Sequence, residues 1–179
     1  MRKLLALVSL IAVAGCAHQP AAGLLNTIAV PTPVQNWVRC DLVFDNAGAL
    51  GGYAQLVGVP IADTVEKQTR GLSGELTPGT PAMMFTWLEA PRSASWMNGV
   101  HVPLSVAFLD RNGTVTEIQN MEPDTNVFHW SAAPAIAALE VGQGTFERLG
   151  VHVGSRMDVQ QCNGPIVYPG LQNPRFRAG

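Results

Sequence analysis

The sequence predicts a single β-rich α+β domain with short helices, and three observations support this fold class. The chain has 179 residues, a length that favours one domain over two. It contains 18 glycines and 13 prolines, which favour frequent turns over a helical bundle. Short runs of β-branched and aromatic residues recur between these turn residues, which is the pattern of strands.

The overall composition excludes several classes of protein. Hydrophobic residues make up 47% of the chain and charged residues 13%. The formal net charge is −2, so binding of nucleic acid through neutralised phosphates is not expected. Apolar runs stay shorter than the roughly 18–20 residues of a membrane-spanning helix, which excludes a multi-span membrane protein.

The N-terminus reads as a lipoprotein signal peptide over residues 1–15. A basic head, Met1–Lys3, precedes an apolar core, Leu4–Val13, and the following residues through Cys16 resemble a bacterial lipobox. The sequence therefore predicts an exported protein cleaved before Cys16 and carrying diacylglycerol and palmitate on that residue. We expect it at the cell membrane, or on the periplasmic side of an outer membrane if the source has one. The alternative is an ordinary secretory signal with a chance cysteine.

Residues 16–35 are predicted to form a flexible tether because they are rich in alanine and proline and almost uncharged. A first strand over residues 24–30 is the alternative for part of this segment. The β-rich domain is predicted over residues 36–162, and an irregular tail over residues 163–179.

Two further cysteines, Cys40 and Cys162, lie near the two ends of the predicted domain. In an oxidising compartment they are expected to form a disulfide. Closing a loop of this length contributes about 4–5 kcal/mol in the chain-entropy model. A catalytic thiol is the alternative, although neither cysteine has a histidine nearby in sequence.

The first half of the domain contains two predicted strands and a helix. The strands are Trp37–Phe44 and Gln55–Ala62, and Pro60 makes the second an edge or bulged strand. Asp63 is the predicted N-cap of a short helix that ends near residue 72, with Glu66 as its capping-box partner.

The second half is predicted to consist mainly of strands joined by turns. Asn112-Gly113 predicts a hairpin turn, because this pair accepts positive φ. The predicted strands are residues 82–87, 94–97, 103–110, 114–119, 135–140 and 151–159, with a helical turn at residues 144–149.

An ordered set of short motifs between Gln55 and Val159 resembles the uncharacterised DUF192 family, also called UPF0127. The motifs include Arg70-Gly71-Leu72, Met83-Met84-Phe85, Arg92–Met97, Val102–Asp110 and Arg148–Gly154. The resemblance implies a compact domain with a barrel-like antiparallel sheet and short helices, commonly outside the cytoplasm. It implies no reaction, because the family has no established activity.

The chain departs from the family pattern at its most characteristic stretch. The family has Trp-Met followed by Lys-Asn-Thr and then Pro-Leu-Asp. Here Trp96-Met97 is followed by Asn98-Gly99-Val100, and Ser105 stands where Asp is typical. The polar part of the family's site is therefore depleted in this chain.

The candidate ligand-binding residues are Arg70, Trp96, Met97 and Asn98. Trp with Met forms an adaptable apolar surface that suits a sugar or another ring. A fixed guanidinium binds carboxylate or phosphate in a bidentate manner. The alternatives are that Trp96 and Met97 fill the end of the sheet and that Arg70 pairs with Glu66.

Motifs for metal, cofactor or nucleophilic catalysis are not apparent. The four histidines lack metal-ligand spacing, and Ser95, His101 and Asp110 lack a nucleophile elbow. We therefore expect no metal and no cofactor, and a non-catalytic module that binds a glycan, a small ligand or another envelope component.

Two other function classes stay open. The first is an envelope hydrolase or transferase, for which Asp63, Glu122, His101 and His129 are the residues to inspect. The second is a protein-interaction module, which an exposed apolar patch around Trp87 and Trp96 without a concave pocket would favour.

Overall fold

A computed structural model describes residues 26–30, 37–46, 52–73, 81–89 and 92–165. Within these residues the elements are β1 Asn26–Ala29, β2 Arg39–Asn46, β3 Gly52–Ala62, α1 Val65–Arg70, β4 Ala82–Thr86, β5 Ala94–Ser95, β6 Leu104–Leu109, β7 Val115–Met121, β8 His129–Trp130, β9 Ala137–Gly142, α2 Thr145–Leu149 and β10 Arg156–Cys162. The predicted signal peptide, Cys16 and most of the predicted tail lie outside the described residues. No helix in the described ranges is long and apolar enough to cross a membrane.

The β-rich fold class is confirmed, with a sheet that is mixed in its strand directions. Its eight strands follow the order β10-β2-β3-β4-β9-β6-β7, and β1 pairs with β3 off this path. Most pairs are antiparallel, but β1 with β3 and β3 with β4 are parallel. The chain passes from β3 to β4 through α1, and such a crossover lets the second strand run in the same direction.

The sheet curls toward a barrel without a continuous ladder between its two edge strands, β7 and β10. The edges meet at a single bridge between Thr114 and Arg156. Backbone hydrogen bonds reinforce this point: the Val115 amide donates to Ser155 O over 2.9 Å, and the Met157 amide donates to Gly113 O over 2.8 Å. The architecture is therefore barrel-like at one end and open along the rest of this seam.

Strand β3 contains the predicted irregularity but is not an edge strand. It pairs with β2 on one side and with β1 and then β4 on the other. The register shifts between Cys40 and Leu42 of β2, opposite Gly58, whose φ is 73°. The Asp41 carboxylate accepts from the Gly58 amide over 2.9 Å, and the Arg39 guanidinium donates to Gly58 O over 2.7 Å. Side chains of β2 thus replace the ladder bonds that the bulge removes.

Helix α1 begins one residue later than the capping pattern predicts. Thr64 is the N-cap, and its hydroxyl accepts from the Lys67 amide over 3.3 Å. The predicted N-cap, Asp63, instead forms an ion pair with the Lys67 ammonium, four residues later. The prediction was wrong because this charged partner holds the Asp63 side chain away from the helix amides.

A strand is present within the segment for which a tether was the preferred interpretation. β1 lies parallel to β3, so the alternative of an early strand is the one observed. The chain also contains one element that the sequence did not indicate, β8, which pairs with β5 in a two-stranded sheet.

The predicted disulfide between Cys40 and Cys162 is present. The two residues are register partners on β2 and β10, with their Cα atoms 4.1 Å apart. Their sulfur atoms join positions 122 residues apart in sequence and fix β10 to the sheet.

Two hydrophobic layers lie on opposite faces of β4, β9 and β6. The inner core is the larger set, comprising Val30, Cys40, Leu42, Phe44, Ala54, Leu56, Val59, Ile61, Ala82, Met84, Ala107, Leu109, Val115, Ile136, Ala137, Leu139, Val141, Phe146, Leu149, Val151 and Met157. The outer layer comprises Ala62, Leu72, Met83, Phe85, Met97, Val100, Leu104, Val106, Phe108, Met121, Ala135 and Ala138. Successive residues of a strand point to opposite faces, so these three strands supply both layers and are buried along their length.

Candidate functional site

A cavity of about 290 Å³ lies between the end of α1, the short strand β5 and the outer layer. Its walls contain three aromatic rings, from Phe85, Trp87 and Trp96. The polar and charged side chains on its walls come from Gln68, Thr69, Arg70, Ser73, Ser95 and Glu140. We call this cavity the outer pocket.

Glu140 is the ionisable group buried in the wall of the outer pocket. It lies on β9 with Met83 of β4 and Val106 of β6 as its register partners, and only 5% of its surface is exposed. Burial raises the pKa of Glu140 to about 7, and a hydrogen bond from the Ser95 side chain works in the opposite direction. Its carboxyl group therefore changes charge near neutral pH.

The end of α1 shapes the pocket through contacts with the backbone of neighbouring strands and loops. The Gln68 amide donates to Thr86 O over 2.6 Å, which ties the helix to the end of β4. The Ser73 hydroxyl donates to Asn98 O over 2.9 Å, which ties it to the loop after β5. Gly71 ends the helix with φ 51°, and a Cβ there would lie 3.6 Å from the ring of Phe85. A larger residue would be strained at this φ and would fill part of the wall.

An exposed aromatic cluster, Trp96, Phe128 and Trp130, lies at the pocket rim. The rings of Trp96 and Phe128 are stacked, with centroids 5.6 Å apart and an interplanar angle of 6°. The Phe128 and Trp130 centroids are 6.1 Å apart. A shallower cavity of about 310 Å³ lies beside Trp130 and Arg92, whose guanidinium donates to Ser131 O over 3.1 Å. The cluster extends the apolar surface of the pocket toward solvent.

The four candidate residues from the sequence occupy different environments. Arg70 and Trp96 both line the outer pocket, and 43% of the Trp96 surface is exposed. Met97 is completely buried in the outer layer. Asn98 is exposed, and its backbone oxygen accepts the bond from Ser73. The structure thus brings Arg70 and Trp96 to one cavity, and their part in binding stays a prediction.

The four residues considered for a hydrolase do not line the outer pocket. Their positions are as follows: Asp63 pairs with Lys67, His101 Nδ1 lies 2.7 Å from Asp124 Oδ1, His129 Nδ1 lies 3.2 Å from Gln119 Oε1, and Glu122 is exposed. Across the described part of the chain, no three His, Cys, Asp or Glu side chains are grouped so that they could hold a metal ion.

The structure shows the surroundings of two positions that depart from the family pattern. Val100, which stands where the family has Thr, lines the outer pocket. Ser105, at the position of the family's Asp, is buried on the other side of β6 from Leu104 and Val106, and it donates to Asn120 Oδ1 over 2.7 Å. The pocket wall is therefore more apolar at Val100 than the family pattern implies.

Glu140 and Phe128 were missed as site residues. Glu140 is the single charged residue in the apolar strand β9, and an acid in a fully buried strand was the available signal. Phe128 lies between β7 and β8 in a segment without a periodic pattern, so the sequence held no comparable signal for its contact with Trp96.

Comparison with known proteins gives a family and a fold. The sequence model of DUF192, described as "Uncharacterized ACR", matches residues 49–159. A solved structure from Sinorhizobium meliloti 1021, described as a "putative transcription regulator", is 26% identical, with a TM-score of 0.62 over 69% of this chain and 95% of that one. A protein of unknown function from Novosphingobium aromaticivorans DSM 12444 is 24% identical, with a TM-score of 0.62 over 72% of this chain and 91% of that one. The curated proteins include no match.

Proposed function

The chain belongs to the DUF192 family, whose description assigns no activity, and we propose from its own pocket that it is a non-catalytic module that binds a small ligand. The observation that carries this proposal is the burial of Glu140 in the wall of a cavity lined by Trp87 and Trp96. A concave site in which aromatic side chains lie beside a few convergent polar groups is a common form of small-molecule site. The exposed aromatic cluster provides further contact area for a ligand that extends beyond the cavity.

The proposed setting is the outer face of a membrane, to which the protein is anchored through lipid on Cys16. The support is the basic head, apolar core and lipobox of the N-terminus, together with the Cys40–Cys162 disulfide, which suits an oxidising compartment. Cells grown with labelled palmitate should incorporate the label into the wild-type chain and not into the Cys16→Ser chain. Equal incorporation of labelled palmitate into both chains would contradict the anchor.

Binding is tested with the exported Cys16→Ser chain against a panel of sugars, cell-wall fragments, amines and organic acids. A ligand at 100 times its Kd should stabilise the fold by about 2.7 kcal/mol, which raises the melting temperature by several degrees. Ligand contact at the rim should also change the fluorescence of Trp96.

The site is then tested by a matched pair of aromatic variants. Trp96→Ala should weaken binding of any hit by about tenfold or more, because the indole supplies a wall of the pocket. Tyr53→Ala is the control, since Tyr53 is exposed on β3 and does not line the pocket. Equal affinity in the two variants would place the ligand elsewhere. A panel without hits would direct attention to a protein partner at the aromatic cluster.

A hydrolase or transferase is the second candidate function, and one observation favours it. Glu140, whose pKa is raised to about 7, is hydrogen-bonded to the Ser95 hydroxyl inside the same pocket. A carboxylate in that range can act as a general base toward a hydroxyl. Hydrolysis of a small activated ester, p-nitrophenyl acetate, should then be lost in both Ser95→Ala and Glu140→Gln. Activity that survives both substitutions would exclude this site.

A further inference from the structure

We infer that the ligand of the outer pocket carries an ammonium group, with the Glu140 carboxylate as its counter-ion and the rings of Trp87 and Trp96 as its walls. This inference rests on the proposed binding function and adds the chemical class of the ligand. Three features of the pocket support it: the hydrogen-bond donors on its walls, the environment of Glu140 and the aromatic rings around it.

Four of the polar side chains on the pocket walls already form hydrogen bonds within the protein. The Gln68 amide donates to Thr86 O, the Thr69 hydroxyl donates to Val65 O over 2.8 Å, and the Ser73 hydroxyl donates to Asn98 O. The Ser95 side chain is hydrogen-bonded to Glu140. The pocket therefore offers an acceptor, the Glu140 carboxyl, to a ligand that brings its own donors or positive charge.

The environment of Glu140 favours a cation over an anion or a neutral polyol. Met83 of β4 and Val106 of β6 lie beside it as its partners on the two neighbouring strands, and both are apolar and do not titrate. Ser95 faces it from β5. Arg70 is the other charged residue that lines the pocket, and it lies at the exposed end of α1. A buried carboxylate is stabilised by an opposite charge placed beside it, which an ammonium ligand supplies.

The aromatic walls suit the same ligand. Trp rings attract cations at their faces, and methylated ammonium groups are bound in this way because they are weakly hydrated. Trp96 is stacked on Phe128, which holds its ring at the rim, and Trp87 is a half-buried part of the wall. The ammonium group of the ligand would lie against Glu140, and the rest of the ligand would extend out of the pocket along the aromatic cluster.

The experiment compares choline with its neutral isostere 3,3-dimethylbutan-1-ol, which differs in having carbon in place of the charged nitrogen. Ethanolamine and 1,4-diaminobutane extend the test to primary amines. Titration calorimetry with the exported Cys16→Ser chain at pH 8 should show binding of at least one amine. If that amine is choline, the isostere should bind at least about tenfold more weakly.

Two variants assign the charge to its source. Glu140→Gln should weaken amine binding by about tenfold or more and leave binding of the neutral isostere unchanged, because it removes the charge and keeps the shape. Glu147→Gln is the control: it removes the same charge from the exposed surface of α2 and should bind like the wild type. Amine binding should also weaken from pH 8 to pH 5.5, because the Glu140 carboxylate becomes protonated over this range and loses its charge.

The outcomes separate this inference from the proposed function. Binding of a sugar or an organic acid at the Trp96 site, with no amine bound, would overturn the ammonium ligand and leave the binding module in place. Equal amine affinity in Glu140→Gln and the wild type would also overturn it. Binding of no panel member would count against both proposals.

Discussion

The inner core and the outer layer are built on the same strands, yet they differ in what they contain. On one face of β9, Ala137, Leu139 and Val141 are completely buried among other apolar side chains. On the opposite face, Ala138 is followed by Glu140, and the layer above it contains the outer pocket. One strand therefore provides a filled hydrophobic face and a face that holds a cavity and an ionisable group.

The two layers also differ in how they are covered. The inner core is enclosed by the curl of the sheet and by helix α2, whose Phe146 and Leu149 are buried in it. The outer layer is covered by α1 and by the loops around β5 and β8. We infer that the inner core provides most of the stability of the fold. The outer layer is less closely packed because it contains the cavity, and it provides the binding site. Three predictions test this division.

The largest effect is expected at the disulfide that joins β2 to β10 at the inner core. The double variant Cys40→Ala, Cys162→Ala should lower the free energy of unfolding by about 4–5 kcal/mol, because a long loop is no longer closed in the unfolded chain. Denaturant unfolding measures this loss, and ligand affinity at pH 8 should be unchanged. Reductant should destabilise the wild type similarly and have no effect on the double variant. A loss below about 1 kcal/mol would show that β10 is held by its ladder instead.

The second effect is a pH dependence that comes from Glu140 in the outer layer. Its pKa is raised from 4.5 to about 7, so the folded chain keeps a proton that the unfolded chain releases. The contribution of this bound proton to the free energy of unfolding is fully present below pH 4.5. It is lost as the pH rises through 7. Glu140→Gln lacks this dependence, and its stability relative to the wild type should rise by on the order of 3 kcal/mol between pH 4 and pH 8. Thermal unfolding at several pH values measures this difference in stability between Glu140→Gln and the wild type. The plot of stability against pH for Glu147→Gln should run parallel to that of the wild type. A parallel plot for Glu140→Gln would contradict the burial of Glu140.

The smallest effect on stability is expected at the rim. Phe128→Ala removes the ring stacked on Trp96 and should cost about 1 kcal/mol or less, because Phe128 is exposed. Ligand affinity should fall by less than in Trp96→Ala, since Phe128 positions the indole and does not line the pocket. Near-ultraviolet circular dichroism should show a loss of order at Trp96. A loss of several kcal/mol would mean that the rim is part of the packed structure.

Much of the fold could be predicted from short-range patterns. The hairpin between β6 and β7 follows from Asn112-Gly113, and the bulge near Pro60 follows from a proline in a strand pattern. The direction of β4 relative to β3 could not be predicted in this way, because it depends on how α1 returns the chain to the sheet. The N-cap was misplaced by one residue because a side-chain ion pair between Asp63 and Lys67 competes with capping.

The candidate site was predictable only in part. Arg70 and Trp96 stand out by residue type, and both line the outer pocket. Met97 stands out in the same way but is completely buried, since neighbouring residues in a strand-like segment point to opposite sides. Glu140 lies more than forty residues away from Trp96 in sequence, and only the pairing of β9 with β4 and β6 brings it beneath the pocket.

The sequence by itself determined the β-rich class, the family, the disulfide pair and two of the residues that line the pocket. These depend on composition, on local periodicity and on residue types that carry their chemistry with them. Only the tertiary structure decided that Glu140 shares a cavity with Trp96 and that its carboxyl titrates near neutral pH. The reason is that a pKa and a cavity depend on neighbours brought together by sheet pairing, which the order of residues along the chain does not specify.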